Sequence, residues 1–341
     1  MKIAIDAMGG DHAPAALIAG GFEAARLSGG RIELVFVGDE QCIKEEIERQ
    51  KKNIGPARYS IVHASQVIEM GESPGEALKK KPDSSILVAH KLQKTGEVQA
   101  TVSAGHTGAA MASALFVLRR IPGVHRPAIG SFIPSGEGVT LLIDVGANVD
   151  PKPKNLLQFA AMGAMFMSKM MGISSPKIGL LSIGEERGKG NALVKEAHSL
   201  LDQSNMNFIG NVEGRDILLG EADVVVCDGF VGNILLKFAE SLIKVFGGHL
   251  KAAIKERVLS QAGALLMKPA FDSVRKTWDY EEYGGVPLLG VNGVSIIAHG
   301  RSTPKAIANA IREAAQTVEF GVNDSIRKEL EILRGMEIVT E

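Results

Sequence analysis

The chain has 341 residues, 45% of them apolar and 23% charged, the proportions of an ordinary globular protein that can bury a large core without disulfides or a structural metal. Its 38 basic and 39 acidic residues give a formal charge of −1, which argues against a surface built to coat nucleic acid while leaving local patches open. A 5% aromatic content beside 39 glycines points to tight turns and close backbone approaches, not to base-stacking platforms.

The opening segment Met1–Asp6 reaches a carboxylate before any long apolar run, so it does not read as a signal peptide. No stretch approaches the ~18 uninterrupted apolar residues that a bilayer span needs. Cys42 and Cys227 are too few for a disulfide framework, and Cys227 follows the apolar Val224-Val225-Val226 as a small buried hydrophobe would. A reducing, cytoplasmic compartment is the expectation.

Taken in chain order, strands are predicted at Lys2–Asp6, Glu33–Val37, Tyr59–His63, Gln99–Ser103, Val139–Asp144, Lys177–Ile183, Val224–Asp228 and Ser295–Ala298. Most are continuous apolar runs, the signature of strands covered on both faces in a parallel sheet. Amphipathic helical patterns lie between them, among them Glu40–Lys52, Ser84–Lys94, Thr107–Arg119 and Leu156–Met171. The alternation predicts a doubly wound, mostly parallel α/β fold. It forms one large unit over residues 1–341, with the option of two lobes around a cleft. Met162, Met165, Met167, Met170 and Met171 read as helix packing. Residues 233–278 break the pattern: they read as a protruding hairpin of two helices with a break near Gly263 or Pro269.

Small, polar or glycine-rich loops stand at six strand ends: Asp6–His12, Ser103–Gly108, Asp144–Asn148, Ser182–Glu186, Asp228–Asn233 and Ala298–Ser302. In open α/β sheets ligands bind outside the carboxyl ends of the strands, so six such loops suggest one shared crevice. Glycine lets the backbone approach a ligand, and the following helix offers unpaired N–H groups, a setting suited to anions. A phosphate at Gly105–Gly108 would meet the helix that opens near Thr107. The same residues also suit a plain N-cap at Thr107.

Named motifs mostly fail. No G-x-G-x-x-G follows the first strand, and Gly184–Gly190 is a Walker-like run one residue short with glycine where the magnesium hydroxyl belongs. There is no H-E-x-x-H and no cysteine pair at ligand spacing. No nucleophilic side chain, metal cage or cofactor is therefore expected. Among the histidines, His63 and His90 read as structural and His198 and His249 as exposed helix positions. His12, His106 and His299 fall in strand-end loops and are candidates for function. Lys79-Lys80-Lys81 reads as a solvated charge run.

These residues also carry a resemblance. The opening Met1-Lys2-Ile3-Ala4-Ile5-Asp6-Ala7-Met8-Gly9-Gly10-Asp11-His12-Ala13-Pro14 is similar to the N-terminal signature of the phosphate acyltransferases of bacterial phospholipid synthesis, the PlsX family. Ser103–Gly108, Asp144–Asn148 and Asp228–Asn233 match that family in the same order, and the similarity runs from Met1 to about Gly321. The resemblance implies a fold like isopropylmalate dehydrogenase and phosphotransacetylase, and a homodimer. It implies transfer of a fatty acyl group from acyl-[acyl-carrier-protein] to inorganic phosphate, giving an acyl-phosphate for a membrane-bound glycerol-3-phosphate acyltransferase. An acyl-CoA phosphotransacetylase or a non-catalytic membrane-associated scaffold would be the alternatives.

With phosphate as nucleophile, the protein must hold it beside a thioester carbonyl, stabilise an oxyanion and help a thiolate leave. On this view Asp6, Gly9, Gly10, Asp11, His12, Ser103, Gly105, Thr107, Asn148 and Gly184 bind phosphate or substrate. Lys189 and Asn233 donate to phosphate or oxyanion, and His106 carries a proton to the pantetheine sulfur. The segment from Lys251 to Lys276 holds six bases and two acids, a local charge of +4, around an apolar middle. Val258, Leu259, Leu265, Leu266 and Met267 are thus predicted to contact the inner face of the cell membrane. Burial against a second subunit is the competing reading of the same tip, with the bases docking the acidic carrier protein.

Overall fold

The computed structural model describes residues 1–51, 57–136, 138–278 and 284–336. Its strands are β1 (Lys2–Asp6), β2 (Glu33–Gly38), β3 (Tyr59–His63), β4 (Ala100–Ser103), β5 (Ala128–Ser135), β6 (Gly138–Ile143), β7 (Ile178–Leu181), β8 (Phe208–Val212), β9 (Val224–Val226), β10 (Val286–Leu289) and β11 (Val294–Ile297). The helices are α1 (Ala15–Leu27), α2 (Glu40–Gln50), α3 (Pro74–Lys80), α4 (Ser85–Lys94), α5 (Thr107–Val117), α6 (Pro153–Met171), α7 (Ala192–Asp202), α8 (Gly214–Leu219), α9 (Gly229–Lys255), α10 (Val258–Leu266), α11 (Lys268–Trp278), α12 (Pro304–Glu319) and α13 (Val322–Gly335).

One sheet of eleven strands runs in the order β3-β2-β1-β4-β11-β10-β5-β6-β9-β7-β8. Five parallel strands form one half and β6, β9, β7 and β8 form another parallel set. The junctions β11–β10, β10–β5 and β5–β6 are antiparallel, so strand direction reverses between the halves. Strands β1, β4 and β9 are central and buried on both faces, so Ile3-Ala4-Ile5 and Val224-Val225-Val226 run apolar without alternation, while β4 buries Thr101 and Ser103 beside Ala100 and Val102. In the first half β1, β2, β4 and β11 pack on α1 and α12 through Ile5, Phe22, Phe36, Ile307 and Ile311. In the second, β6, β7 and β9 pack on α6, α7 and α13, and Met162 and Met167 are part of that core.

Three strands escaped the sequence reading: β5, β8 and β10. Each holds a residue that normally interrupts a strand: Pro134 in β5, Pro287 in β10 and Gly210, at φ +100°, in β8. The proline in β5 sits opposite Val139 in the antiparallel pair with β6. The segment expected as two helices is three. Gly263 lies inside α10, and the breaks fall at Glu256–Arg257 and Met267. His198 also departs from expectation. It is buried and meets Phe208 edge-on at 5.1 Å, rather than facing water. His90 is fully buried between Ser113 Oγ (2.9 Å) and Ser295 Oγ (3.2 Å), and burial pushes its pKa down to about 3. Among the described residues no helix is long and apolar enough to cross a membrane.

Candidate functional site

The strand-end loops gather into two clusters, one in each half of the sheet. In the first, Asp6 ends β1 and Ser103 ends the neighbouring β4. Ser103 Oγ donates to Asp6 Oδ2 at 2.6 Å and accepts from the backbone N–H of Gly105 at 3.1 Å. Asp6 Oδ1 is buried without a hydrogen-bond partner. Burial pushes the Asp6 carboxyl above its ordinary range, while Ser103, Ser85 and the amides of Met8 and Gly9 pull it back. Gly9 closes over this carboxylate: a Cβ there would stand 2.7 Å from Asp6 Oδ2 and 2.7 Å from Gly105 N. Only a residue without a side chain fits. The loop after β11 joins through the Asp11 N–H, which donates to the Gly300 carbonyl at 2.7 Å. A narrow pocket opens here, with Asp6, Gly9, Ser85, Ser103, Gly105 and His106 in its wall.

His106, not Thr107, caps the helix that leaves this pocket. Its Nδ1 accepts from the N–H groups of Gly108 (3.1 Å) and Ala109 (3.4 Å). A ring nitrogen that accepts carries no proton, so the neutral imidazole bears its proton on Nε2. The cap thereby fixes both ring and tautomer. Thr107, Asp11 and His12 are exposed at the rim, and Gly10 turns the loop at φ +105°.

The second cluster is built around Asp144, which follows β6. Its Oδ1 accepts from the N–H groups of Ile129 (3.0 Å) and Ala147 (3.1 Å). Its Oδ2 accepts from the N–H of Asn148 (2.6 Å) and from the Asn148 side-chain amide (3.0 Å). Asn148 Nδ2 also donates to the Pro127 carbonyl at 2.8 Å, and its own carbonyl accepts from Gly229 N at 2.7 Å. Asp228 caps α9 by accepting from Val231 N at 2.9 Å, which places Asn233 in the second turn rather than at the cap. Asn233 is half-buried and faces Gly146, where a Cβ would lie 3.7 Å from its Cβ and Cγ. From the adjacent β7 end, the exposed Lys189 lays its stem over Gly184, where a Cβ would meet Lys189 Cγ at 2.9 Å. Lys189 precedes the helix, because the cap of α7 is Asn191.

The residues expected to share one crevice thus fall into two sets. Asp6, Gly9, Gly10, Asp11, His12, Ser103, Gly105, His106 and Thr107 belong to the first half, and Asn148, Gly184, Lys189 and Asn233 to the second. The reversal of strand direction at β10 separates them. Sequence reasoning passed over Asp144 as a site organiser, although the signal was there: a carboxylate ending an apolar strand just before a glycine loop, as at Asp6.

A family model described as "Fatty acid synthesis protein" matches residues 1–325. A phosphate acyltransferase of Heliobacterium modesticaldum is 52% identical, over 94% of this chain and 94% of that protein. One from Geobacter sp. is 49% identical, over 97% of this chain and 93% of its own length. Among solved structures, a phosphotransacetylase from Streptococcus pyogenes shares the fold with a TM-score of 0.65 at 20% identity, covering 94% of each chain. The EutD phosphotransacetylase of Staphylococcus aureus does so with a TM-score of 0.60 at 17% identity, covering 93% of this chain and 94% of its own. Relatives half identical from end to end leave one assignment: the chain belongs to the fatty acid synthesis protein family, among the phosphate acyltransferases.

Proposed function

We propose that this protein transfers a fatty acyl group from acyl-[acyl-carrier-protein] to inorganic phosphate and releases an acyl-phosphate. The observation that carries the reading is the first cluster: the loops after β1 and β4 meet through Gly9 and Gly105 beside the buried Asp6–Ser103 pair, next to a histidine whose cap leaves its proton on Nε2. In this scheme a phosphate oxygen attacks the thioester carbonyl, the C–O bond forms and the C–S bond breaks. Loop N–H groups of the first cluster hold the phosphate, and Lys189 and Asn233 in the second take anionic groups of the donor. His106 Nε2–H donates a hydrogen bond to the departing sulfur, and the proton that the phosphate releases on acylation goes to that thiolate. No side chain becomes acylated. Metal and cofactor have no part in the scheme.

The protein acts as a homodimer at the inner face of the cell membrane. The exposed apolar residues Phe230, Ile234, Phe238, Leu242, Val245 and Phe246 recur every three or four positions along α9, a stripe that a second copy would cover. At the far end, Leu259 and Leu266 are 88% and 85% exposed, beside Val258, Leu265 and Met267, which suits shallow insertion among lipid headgroups. The acyl-phosphate then passes to a membrane-bound glycerol-3-phosphate acyltransferase.

The test is consumption of palmitoyl-carrier protein by the purified protein with and without phosphate, in parallel with palmitoyl-CoA. Phosphate-dependent turnover of the carrier-protein thioester is expected. Preference for CoA would make the protein a phosphotransacetylase-like enzyme, and no turnover of either would leave a scaffold.

A further inference from the structure

The loop Arg119-Arg120-Ile121-Pro122-Gly123-Val124-His125-Arg126, between α5 and β5, carries three arginines and no acid. All three arginines are exposed. Among the described residues none has a carboxylate within 4.0 Å, whereas Arg26, Arg49, Arg187, Arg215 and Arg327 each do. Yet the loop is held tightly. Its Arg119 carbonyl accepts from Asn292 N at 2.8 Å, and its Ile121 N–H donates to the Gly290 carbonyl at 2.9 Å. Gln158 spans it, accepting from His125 N at 2.9 Å and donating to the Gly123 carbonyl at 2.8 Å. Arg120 Nη1 donates to the His125 carbonyl. Arg119 is in the left-handed region, φ +66°. Unpaired arginines on a fixed backbone are the preorganised half of an ionic contact.

The loop's position ties it to the second cluster. The carbonyl next to Arg126, that of Pro127, is the one that Asn148 holds beside Asp144. We infer that Arg119, Arg120 and Arg126 form the docking surface for the acidic carrier protein, beside the Asn148–Asn233 cluster. Charge complementarity carries the choice: a strongly acidic partner meets three cations in eight residues with no acid in the loop, on a chain of net charge −1. In the hairpin, by contrast, Lys268 is paired with Asp272 at 2.7 Å and an acid, Glu256, stands among Lys251, Lys255 and Arg257. The inference rests on the proposed reaction for the identity of the partner, and it adds where that partner sits.

The experiment compares the wild type with R119E/R120E/R126E, using palmitoyl-carrier protein and palmitoyl-CoA as donors, with direct titration of holo carrier protein by fluorescence anisotropy at low and high salt. The side chains are exposed, so the variant is expected to keep the wild-type melting temperature. Expected is a rise of roughly tenfold or more in KM for the carrier-protein thioester, as for loss of two or three partly screened ion pairs. Turnover of palmitoyl-CoA stays within twofold, and the salt dependence of carrier-protein binding flattens. An unchanged KM and unchanged binding would overturn the inference. So would an equal loss with CoA, which would assign the arginines to the small-molecule part of the donor. So would tighter binding of a DNA oligonucleotide than of carrier protein to the wild type. If the wild type binds carrier protein but turns over neither donor, the reaction fails while the docking surface is still judged by the titration.

Discussion

Asp144 Oδ2 accepts two hydrogen bonds from the same residue, Asn148: one from its backbone N–H at 2.6 Å and one from its side-chain amide at 3.0 Å. With Oδ1 taking the N–H groups of Ile129 and Ala147, a single carboxylate joins β5, the β6 loop and, through the Asn148 carbonyl, the start of α9. Gly232 makes this packing feasible, since a Cβ there would lie 1.9 Å from the Asp144 carbonyl oxygen.

Asp144→Ala strands those N–H groups in the interior. Each buried donor left unpaired costs ~1–3 kcal/mol, and the losses overlap. We expect a destabilisation of about 3–5 kcal/mol in urea unfolding. A loss below ~1 kcal/mol would show that water replaces the carboxylate without difficulty.

Gly105→Val places a branched side chain where a Cβ already lies 3.3 Å from Gly9 Cα and 3.3 Å from Ser103 Oγ. Gly9→Ala is more severe, for the reason given above. Gly105 has no positive φ, so the obstacle is crowding of the approach, not backbone strain. Turnover should collapse in both variants while circular dichroism stays native. A folded, fully active Gly105→Val would remove this loop from the phosphate site.

Lys189→Ala and Asn233→Ala each delete a donor from the second cluster. Loss of one preorganised donor typically lowers turnover by ~10²–10³. Lys189 is exposed, so its variant should keep the wild-type melting temperature. If either change moved only the melting temperature, that residue would be structural.

Two buried groups set opposite limbs of the stability–pH curve. The His90 pKa falls from 6.5 in the unfolded chain to about 3 in the fold, so the unfolded chain takes up the proton first on acidification. Stability present above pH 6.5 is lost progressively toward pH 3, with a slope approaching ~1.4 kcal/mol per pH unit. Glu313 runs the other way. Both its oxygens are buried with no hydrogen-bond partner among the described residues, and burial raises its pKa well above 4.5. Stability present below pH 4.5 is lost as pH rises through that raised value. Glu313→Gln should therefore stabilise the protein at pH 8 and not at pH 4 in paired denaturant titrations. An equal effect at both would mean that folding does not raise the Glu313 pKa.

Leu265→Glu with Leu266→Glu puts two charges on the apolar tip. Each large side chain withdrawn from water contributes ~1.5–3 kcal/mol, so vesicle sedimentation should show binding abolished. Native mass should still report a dimer, and turnover of soluble donor should persist. Loss of the dimer instead would give the tip to the subunit interface.

The parallel strands were legible because burial on both faces leaves an unbroken apolar run, as in Val224-Val225-Val226 and Ile3-Ala4-Ile5. The reversal at β10 and β5 was not. Pro287 and Pro134 argue locally against strands, and long-range pairing overrode them. The loops of the first cluster were readable from glycine spacing, but the capping role of His106 was not, because Thr107 satisfies the same local rule. The burial of His198 depends on Phe208 in the following strand, a contact that the helical period of α7 does not encode.

The route of the chain through the sheet has a consequence for synthesis. The half from β5 to β8 and β9 is drawn from one contiguous stretch, residues 128–226, and can pair its own strands soon after it leaves the ribosome, although β5 still waits for β10 and α6 for α13. The other half cannot. Its β4 lacks a neighbour on one side until β11 arrives at Val294–Ile297, and α1 lacks the α12 face that carries Ile307 and Ile311. Residues 2–103 therefore wait, with an open strand edge and an uncovered apolar face, while nearly two hundred more residues are made. In a nascent-chain series this half should acquire protease resistance only once α12 has been extruded, after the strands of its neighbour have paired.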